Sequence, residues 1–243
     1  MVAIIALAIL VTSFISGILG MAGGIILMGG LSMLLPVTST MILHGITQMG
    51  SNGFRAFLLR EHIQWSVLWR YLIGAILGFA LFSLLAFVPS KSMVLITIGL
   101  FPILAMVMPK RINLDLMRPR NTYLGGFVVT CAQITAGVSG PLLDVFFIKS
   151  SLNRFEIIAT KAMTQTVGHL LKLVYYGKVL LFMQNEGLAF PLYVIPLALA
   201  VAAIGTRLGR QVLERLSEIQ FRRYSRIVIA VIGLFYVWRG IFY

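Results

Sequence analysis

A pattern of polar residues appears twice in this chain, and the two copies lie 117 residues apart. The first copy consists of His44, Thr47, Gln48, Ser51, Asn52 and Arg55, and the second of Lys161, Thr164, Gln165, Gly168, His169 and Lys172. The same offset carries Gly20 and Gly23 onto Gly137 and Gly140. Each half of the chain therefore has a glycine-containing break followed by a polar helix face. This duplication predicts a protein built from two related halves.

The composition indicates the class of protein in which this duplication occurs. Hydrophobic residues make up 59% of the 243 positions, charged residues only 11%, and the mean hydropathy is +0.98. Soluble domains are about half apolar and about one quarter charged. Several apolar runs reach the ~20 residues that a helix needs to cross a bilayer. We therefore expect an all-α polytopic membrane protein and not a soluble domain.

The net charge of +13 has two explanations. Lysines and arginines accumulate in the cytoplasmic loops of membrane proteins, which accounts for most of the excess. An anionic substrate or anionic lipid is the second explanation. The single cysteine, Cys131, excludes an intrachain disulfide and is expected to pack within an apolar run.

Eight apolar segments divide a single membrane domain, 1–243, into two repeats. They cover about 1–35, 41–59, 65–88 and 91–109 in the first repeat, and about 121–150, 156–178, 188–209 and 223–242 in the second. Repeat one spans 1–109, repeat two spans 121–243, and the basic stretch 110–120 links them. As single helices, the first segment of each repeat would be ~45–52 Å long, too long for one crossing and too short for two. We expect each to be a glycine-broken re-entrant helical hairpin; a full span followed by an interfacial helix is the alternative.

The distribution of basic residues predicts the orientation of the repeats. If the hairpins do not cross, each repeat has three transmembrane helices and the basic loops fall on one side. Those loops carry Arg55, Arg60 and Arg70, then Lys110 to Arg120, then Lys149 and Arg154, then Arg207 to Arg226. Eight crossings would divide these loops between both sides, which the positive-inside rule disfavours. An odd number of crossings makes the repeats inverted, a design typical of carriers with alternating access, with both chain ends outside.

The glycine breaks are candidate backbone sites for a substrate. A helix that begins inside the membrane presents free N–H donors and a partial positive charge, which suits an anion. The candidate positions are Gly20, Gly23 and Gly24 in the first break and Gly137, Ser139 and Gly140 in the second. Close helix packing through small residues is the alternative explanation.

The polar stripes supply candidate side chains for the same site. In each stripe three residues share one helix face at spacings i, i+4 and i+7, with a threonine beside them. They are Gln48, Asn52 and Arg55 with Thr47, and Gln165, His169 and Lys172 with Thr164. Amide, hydroxyl and imidazole donors without a carboxylate favour an oxyanion in a water-filled path. Hydrogen bonding between helices, and anchoring of Arg55 and Lys172 at a membrane edge, stay open as alternatives.

Of the seven acidic residues, Asp144 is the only one in the interior of a predicted membrane segment, since Glu156 lies at the very start of another. It is a candidate for binding a coupling proton or sodium ion, because intramembrane carboxylates often have that role. Pairing with Lys149 or Arg154 is the alternative. The sequence contains no metal-ligand cluster and no nucleotide-binding motif, so we expect no cofactor and no ATP-driven transport by this chain alone.

The glycine-rich segment from Ser16 to Gly24, its echo from Ala136 to Pro141 and the paired helices after each resemble the sulfite exporter TauE/SafE family of membrane permeases. The resemblance covers nearly the whole chain. It implies a secondary transporter, not an enzyme, for the export or uptake of small sulfur-containing anions such as sulfite or organosulfonates; of the two directions, we expect export. The second half departs from the family pattern, because Ser139 and Pro141 replace glycines that are more usual there.

Two other functions could use the same residues. A passive anion channel would need the same polar faces. The string from Gly137 to Gly140 also resembles the nucleophile motif of rhomboid intramembrane proteases, with Ser139 as nucleophile and His169 as base. The equivalent break in the first half has no serine, which favours transport. We expect a small anion, membrane lipid, a proton or sodium ion and a second copy of the chain as partners, no nucleic acid, and a location in a bacterial cell membrane.

Overall fold

The computed structural model describes residues 1–19, 22–108, 114–147, 150–182, 187–213, 215 and 218–243. Within these residues the chain forms ten α-helices and a 3-10 turn at Arg60–His62, and no strand. The helices are α1 (Val2–Leu19), α2 (Ala22–Leu34), α3 (Val37–Leu58), α4 (Trp65–Leu85), α5 (Lys91–Val107), α6 (Pro119–Ala136), α7 (Gly140–Phe147), α8 (Arg154–Phe182), α9 (Val194–Leu213) and α10 (Glu218–Ile241). The predicted all-α class is confirmed.

The second helix break lies where the glycines predict it. Gly137 adopts a left-handed conformation, with φ of 73°, and its N–H donates to the Gln133 carbonyl at 3.0 Å, which ends α6. A side chain would strain this conformation, so glycine suits the helix end. α7 then begins at Gly140. The first break falls between α1 and α2, and Gly20, one of its expected site residues, lies outside the described part of the chain.

The two helices at each break fold back on each other. A Cβ atom on Gly23 would overlap the Thr12 carbonyl and Ser16, so α2 begins in close contact with the second half of α1. In the other half, the Phe146 ring lies against Gly125, which places the end of α7 beside the first turns of α6. Both pairs are therefore helical hairpins, and α1–α2 depends on a small residue for close approach. Their depth in the membrane stays a prediction.

The longer helices pack in reciprocal pairs. α1 packs on α9, and α4 packs on α6. The offset of 117 residues relates α1 to α6 and α4 to α9, so these two contacts are equivalent. α3 packs on α8 and α5 on α10, each helix with its counterpart from the other half. α3 and α8 run antiparallel, because Gly45 lies against Lys172 and Leu173 whereas Gly53 lies near Thr166. The two polar stripes therefore lie side by side in the bundle. The repeat boundaries and the inversion of the repeats across the membrane stay predictions.

The outer surface of the bundle is apolar. Leu84, Leu181 and Phe182 are more than four-fifths exposed. Large exposed apolar areas are rare on soluble proteins and suit contact with lipid. Among the described helices, α4 alone is both long and apolar enough to cross a membrane, and several other apolar helices are shorter. α3 and α8 are long enough, but their polar stripes lower their hydropathy.

Close packing of α4 on α6 depends on glycine. A Cβ atom on Gly126 would overlap the Tyr71 carbonyl, and one on Gly74 would overlap the Tyr123 carbonyl. We expect Gly126→Ala to lower the free energy of unfolding by about 1–3 kcal/mol, because the helices must separate to admit the methyl group. Gly177→Ala is the control, since nothing lies within 4 Å of that position. Thermal unfolding in detergent should give the lower Tm for Gly126→Ala, and equal Tm values would contradict this packing.

Candidate functional site

A cavity of about 1300 Å³ extends into the bundle between the end of α1 and helices α2, α3, α7, α8 and α9. Exposed residues such as Leu58 and Phe155 lie at its mouth, and the buried residues His44, Ser139 and His169 form its floor. Ligand pockets commonly measure about 300–1,000 Å³, so this cavity has room for a small molecule together with water. The first break and α3 form one wall, and the second break and α8 form another. Both predicted halves therefore contribute to the same cavity.

The amide of Gln133 organises the floor beside the second break. Its Nε2 donates to the Gly137 carbonyl at 3.0 Å and to His169 Nδ1 at 2.9 Å, and its Oε1 accepts from the Ser139 hydroxyl. Gln165 Nε2 donates to the Ser139 oxygen at 3.2 Å. Because a carbonyl oxygen only accepts, these contacts set the orientation of the Gln133 amide and leave the hydrogen of a neutral His169 on Nε2. His169 therefore has one ring N–H that this network does not use.

A second set of hydrogen bonds joins the two breaks to each other. His44 Nε2 donates to the Gly24 carbonyl at 3.0 Å, so a neutral His44 accepts at Nδ1 from Lys172 Nζ, which lies 2.9 Å away. Lys172 Nζ also donates to the Gly137 carbonyl at 2.9 Å. The His44 and His169 rings lie 5.5 Å apart and line the cavity, whereas Lys172 is fully buried. This cluster forms the inner end of the cavity.

Three stripe residues of α3 line the cavity without a protein partner. The side chains of Gln48, Asn52 and Arg55 make no hydrogen bond or ion pair with any residue that the structure describes. The Gln48 carboxamide lies beside Gly24, where a Cβ atom would be 3.5 Å from it. Arg207 of α9 adds a second arginine to the wall. Because polar groups inside a membrane protein need partners, these donors are available to water or a ligand.

Other expected site residues have structural contacts. Gly23 is enclosed between α1 and α2, and Gly137 directs its carbonyl oxygen, an acceptor, at Lys172. The hydroxyls of Thr47 and Thr164 donate to carbonyls of their own helices at 2.8 and 2.9 Å. Among Gly23, Gly137, Thr47 and Thr164, Thr47 is the one that lines the cavity. The expected backbone positions that do line it are Gly24, Ser139 and Gly140.

Asp144 is the one carboxylate on the described cavity wall, and it forms an ion pair with Lys161 of α8. The sequence suggested Lys149 or Arg154 as its partner; Lys149 lies outside the described residues. The pair has no net charge, and both side chains are partly exposed. The net charge of the described wall is therefore positive.

The floor contains no serine–histidine dyad. Ser139 donates its hydrogen to Gln133, and His169 Nδ1 accepts from the same amide. A nucleophilic serine needs a base that accepts its hydrogen, and here an amide oxygen accepts it. This geometry gives no support to the protease alternative.

The sequence did not identify Gln133 or His44 as site residues, although His44 lines the cavity and Gln133 hydrogen-bonds to His169 and Ser139 on its floor. Gln133 precedes the break and has Ser16 as its counterpart, so the duplicated stripe does not include it. Its position four residues before Gly137, one helical turn from the break, is the sequence feature that could have indicated its role. His44 belongs to the stripe, but its bond to Gly24 depends on how α3 rotates against α2.

One family model matches this chain. Its description is sulfite exporter TauE/SafE, and the match covers residues 5–236, nearly the whole chain. No curated protein and no solved structure matches the chain. The matched residues include both helix breaks, both stripes and the residues that form the cavity floor. The chain therefore belongs to the sulfite exporter TauE/SafE family of membrane permeases.

Proposed function

We propose that this protein is a secondary carrier of small sulfur-containing anions, such as sulfite or organosulfonates, and that the anion binds at the cavity floor between the two helix breaks. Membership of the family supports the class of transporter and of substrate. One observation carries the proposed site. Donors from α3 that have no partner among the described residues face the same cavity as the helix start at Gly140, and the described carboxylate there is paired.

The floor and the walls beside it offer donors to each oxygen of a sulfite or sulfonate group. The amides of Gln48 and Asn52 come from α3, and the Nε2–H of His169 and the second amide hydrogen of Gln165 come from α8. α7 begins at Gly140 on the cavity wall, so its first N–H groups and the positive end of its dipole favour an anion there. Uncharged donors of this kind can bind an anion and still release it.

The mouth of the cavity favours anions over cations. Arg55 and Arg207 both line it, and the charge of Asp144 is balanced by Lys161. A wall of net positive charge raises the local concentration of anions and increases their rate of association, most strongly at low ionic strength. The arginines therefore guide the anion toward the donors on the floor.

Alternating access follows from the two ends of this site. The repeat offset relates His44 to Lys161 and Lys172 to Arg55, so the residues near the mouth are counterparts of those at the closed end. In the opposite state, the contacts of His44 and Lys172 would open, and Arg55 and Lys161 would close the present mouth. Carriers with inverted repeats alternate in this way. The anion then stays bound at the floor while access to the site changes from one side of the membrane to the other.

The arrangement in the membrane is part of the same proposal. Each repeat contributes three crossings and one re-entrant hairpin, and the repeats are inverted. The supporting observations are the antiparallel contact of α3 with α8 and the positions of the basic loops. Both chain ends lie outside a bacterial cell membrane, and the expected direction of transport is export.

A thermal-shift screen of the purified protein tests the substrate class. We expect sulfite, isethionate and sulfoacetate to raise Tm in a saturable way, at two pH values and with or without sodium. At 100 times Kd a bound ligand stabilises the folded state by about 2.7 kcal/mol, a shift of several degrees. Chloride and gluconate at equal ionic strength are the controls. The same shift with all salts, or no shift with any sulfur anion, would contradict the proposed substrate class.

A further inference from the structure

Lys172 lies in the interior of the bundle, beside the inner end of the cavity. Its side chain has no exposed surface, and it is the one lysine, arginine or carboxylate that is buried among the side chains whose burial the structure describes. His44 and His169, which lie beside it, line the cavity. The imidazole rings of the floor therefore lie between the Lys172 amine and the cavity in which the anion is proposed to bind.

The hydrogen bonds around Lys172 match a neutral amine. Its two described partners, the Gly137 carbonyl and His44 Nδ1, are both acceptors. An amine has two N–H donors and one lone pair, so these two acceptors satisfy it. An ammonium would have a third N–H without a described acceptor and a positive charge without a described carboxylate beside it. One added proton therefore creates a need for one negative charge near the floor.

The described carboxylates of α7 and α8 are engaged elsewhere. Asp144 is paired with Lys161, which lies eleven residues from Lys172, about 16 Å along the helix. Glu156 accepts from Gln64 near the start of α8. The remaining titratable groups on the described elements that pack against α8 are His44 and Arg55 on α3, Arg60, Glu61 and His62 in the following turn, Arg70 and Tyr71 on α4, and Arg120, Tyr123 and Cys131 on α6. On α8 itself, among the side chains that the structure describes, they are His169, Tyr175, Tyr176 and Lys178.

We propose that Lys172, together with His44, is the proton-binding site that couples transport to a proton gradient. This inference rests on the proposed function and specifies the coupling ion. A proton from water in the cavity adds to the lone pair of Lys172 when an anion occupies the floor. It returns to water on the other side when the contacts with His44 and Gly137 open. Proton and monovalent anion then move together without net charge, so export occurs when the outward gradient of the anion exceeds the inward gradient of protons.

The test uses the full-length protein in liposomes that contain a pH-sensitive dye, with potassium and valinomycin to hold the membrane potential at zero. Isethionate is the probe, because its sulfonate stays ionised at neutral pH and cannot carry the proton itself. We expect isethionate uptake by the wild type to acidify the interior, with about one proton per anion. Lys172→Met should reduce this ratio at least about tenfold while exchange of labelled isethionate continues.

Three further variants make the result specific. Lys178→Met, on the same helix but exposed, should keep the wild-type ratio. Lys172→Gln retains N–H donors but cannot take up a proton, so it replaces Lys172→Met where that variant does not fold. Asp144→Asn should also keep the ratio, because that carboxylate is already paired.

The outcomes separate this inference from the proposed function. A wild type that exchanges isethionate without acidification would overturn the proton site alone. If both Lys172 variants keep the wild-type number of protons per anion and Asp144→Asn loses it, the proton-binding site is Asp144 and not Lys172. A wild type that moves neither isethionate nor sulfite would remove the proposed function and this inference with it.

Discussion

Replacing Gln48 and Gln165 together by alanine should weaken the binding of sulfite or isethionate by about 100-fold or more. Each amide can donate a hydrogen bond to a charged oxygen, and such bonds contribute about 1.5–3 kcal/mol in a site shielded from water. Loss of both hydrogen bonds therefore removes about 3 kcal/mol or more of binding free energy, which corresponds to a rise in Kd of about 100-fold or more. Loss of Gln165 also removes the hydrogen bond that Ser139 accepts, whereas Ser139 still donates to Gln133. The measurement is a titration of Tm or of binding heat with each anion.

The control for this double variant is Gln64→Ala. Gln64 lies before α4, donates to Glu156 and does not line the cavity, so its loss should leave Kd unchanged. Circular dichroism would show whether each variant keeps its helix content. Unaltered anion affinity in the folded double variant would place the substrate away from this floor.

The second large effect is expected for Gly137→Ala. This residue has φ of 73°, where a left-handed residue with a Cβ costs about 1–2 kcal/mol. The new methyl group would also lie 2.5 Å from Met28 Cε and 2.8 Å from Met41 Sδ, which is closer than carbon and sulfur atoms can pack. We expect an overall loss of about 1–3 kcal/mol in the free energy of unfolding, mainly from the backbone strain, because the ends of the two methionine side chains can move. Thermal unfolding in detergent measures the loss.

Two comparisons show whether the strain at this break is the cause. Gly30→Ala adds the same methyl group to α2 where nothing lies within 4 Å, and it should not lower Tm. In the double variant Gly137→Ala, Met28→Ala, the shortened Met28 side chain leaves space for the new methyl group. Its loss in the free energy of unfolding should therefore be smaller than the sum of the losses in the two single variants. A Gly137→Ala protein as stable as Gly30→Ala would contradict the left-handed helix end.

The helix breaks could be predicted from sequence because they depend on local chemistry. Glycines within a long apolar segment permit a turn that other residues resist, and Gly137 ends α6 as expected. The spacing of Gln165 and His169 likewise indicated one helix face, and both residues line the cavity. Local periodicity is set by the helix itself, so these features do not depend on the rest of the fold.

The contacts inside the floor could not be predicted in the same way. Arg55 and Lys172 are counterparts in the sequence, yet Arg55 lies on the open wall and Lys172 is enclosed. Duplication shows that two positions are equivalent, but a structure open to one side places them in different surroundings. The role of Gln133 depends on how α6 and α8 pack, which no local pattern encodes.

Counterflow in liposomes tests the central claim most directly. Vesicles that contain the full-length protein are loaded with unlabelled sulfite or isethionate and diluted into a trace of the labelled anion. An alternating-access carrier with its site on this floor should accumulate label transiently above its external concentration. The Gln48→Ala, Gln165→Ala double variant should lose this overshoot, and Gln64→Ala should keep it. Label that only equilibrates, without overshoot or saturation, would identify a passive channel and contradict the carrier mechanism.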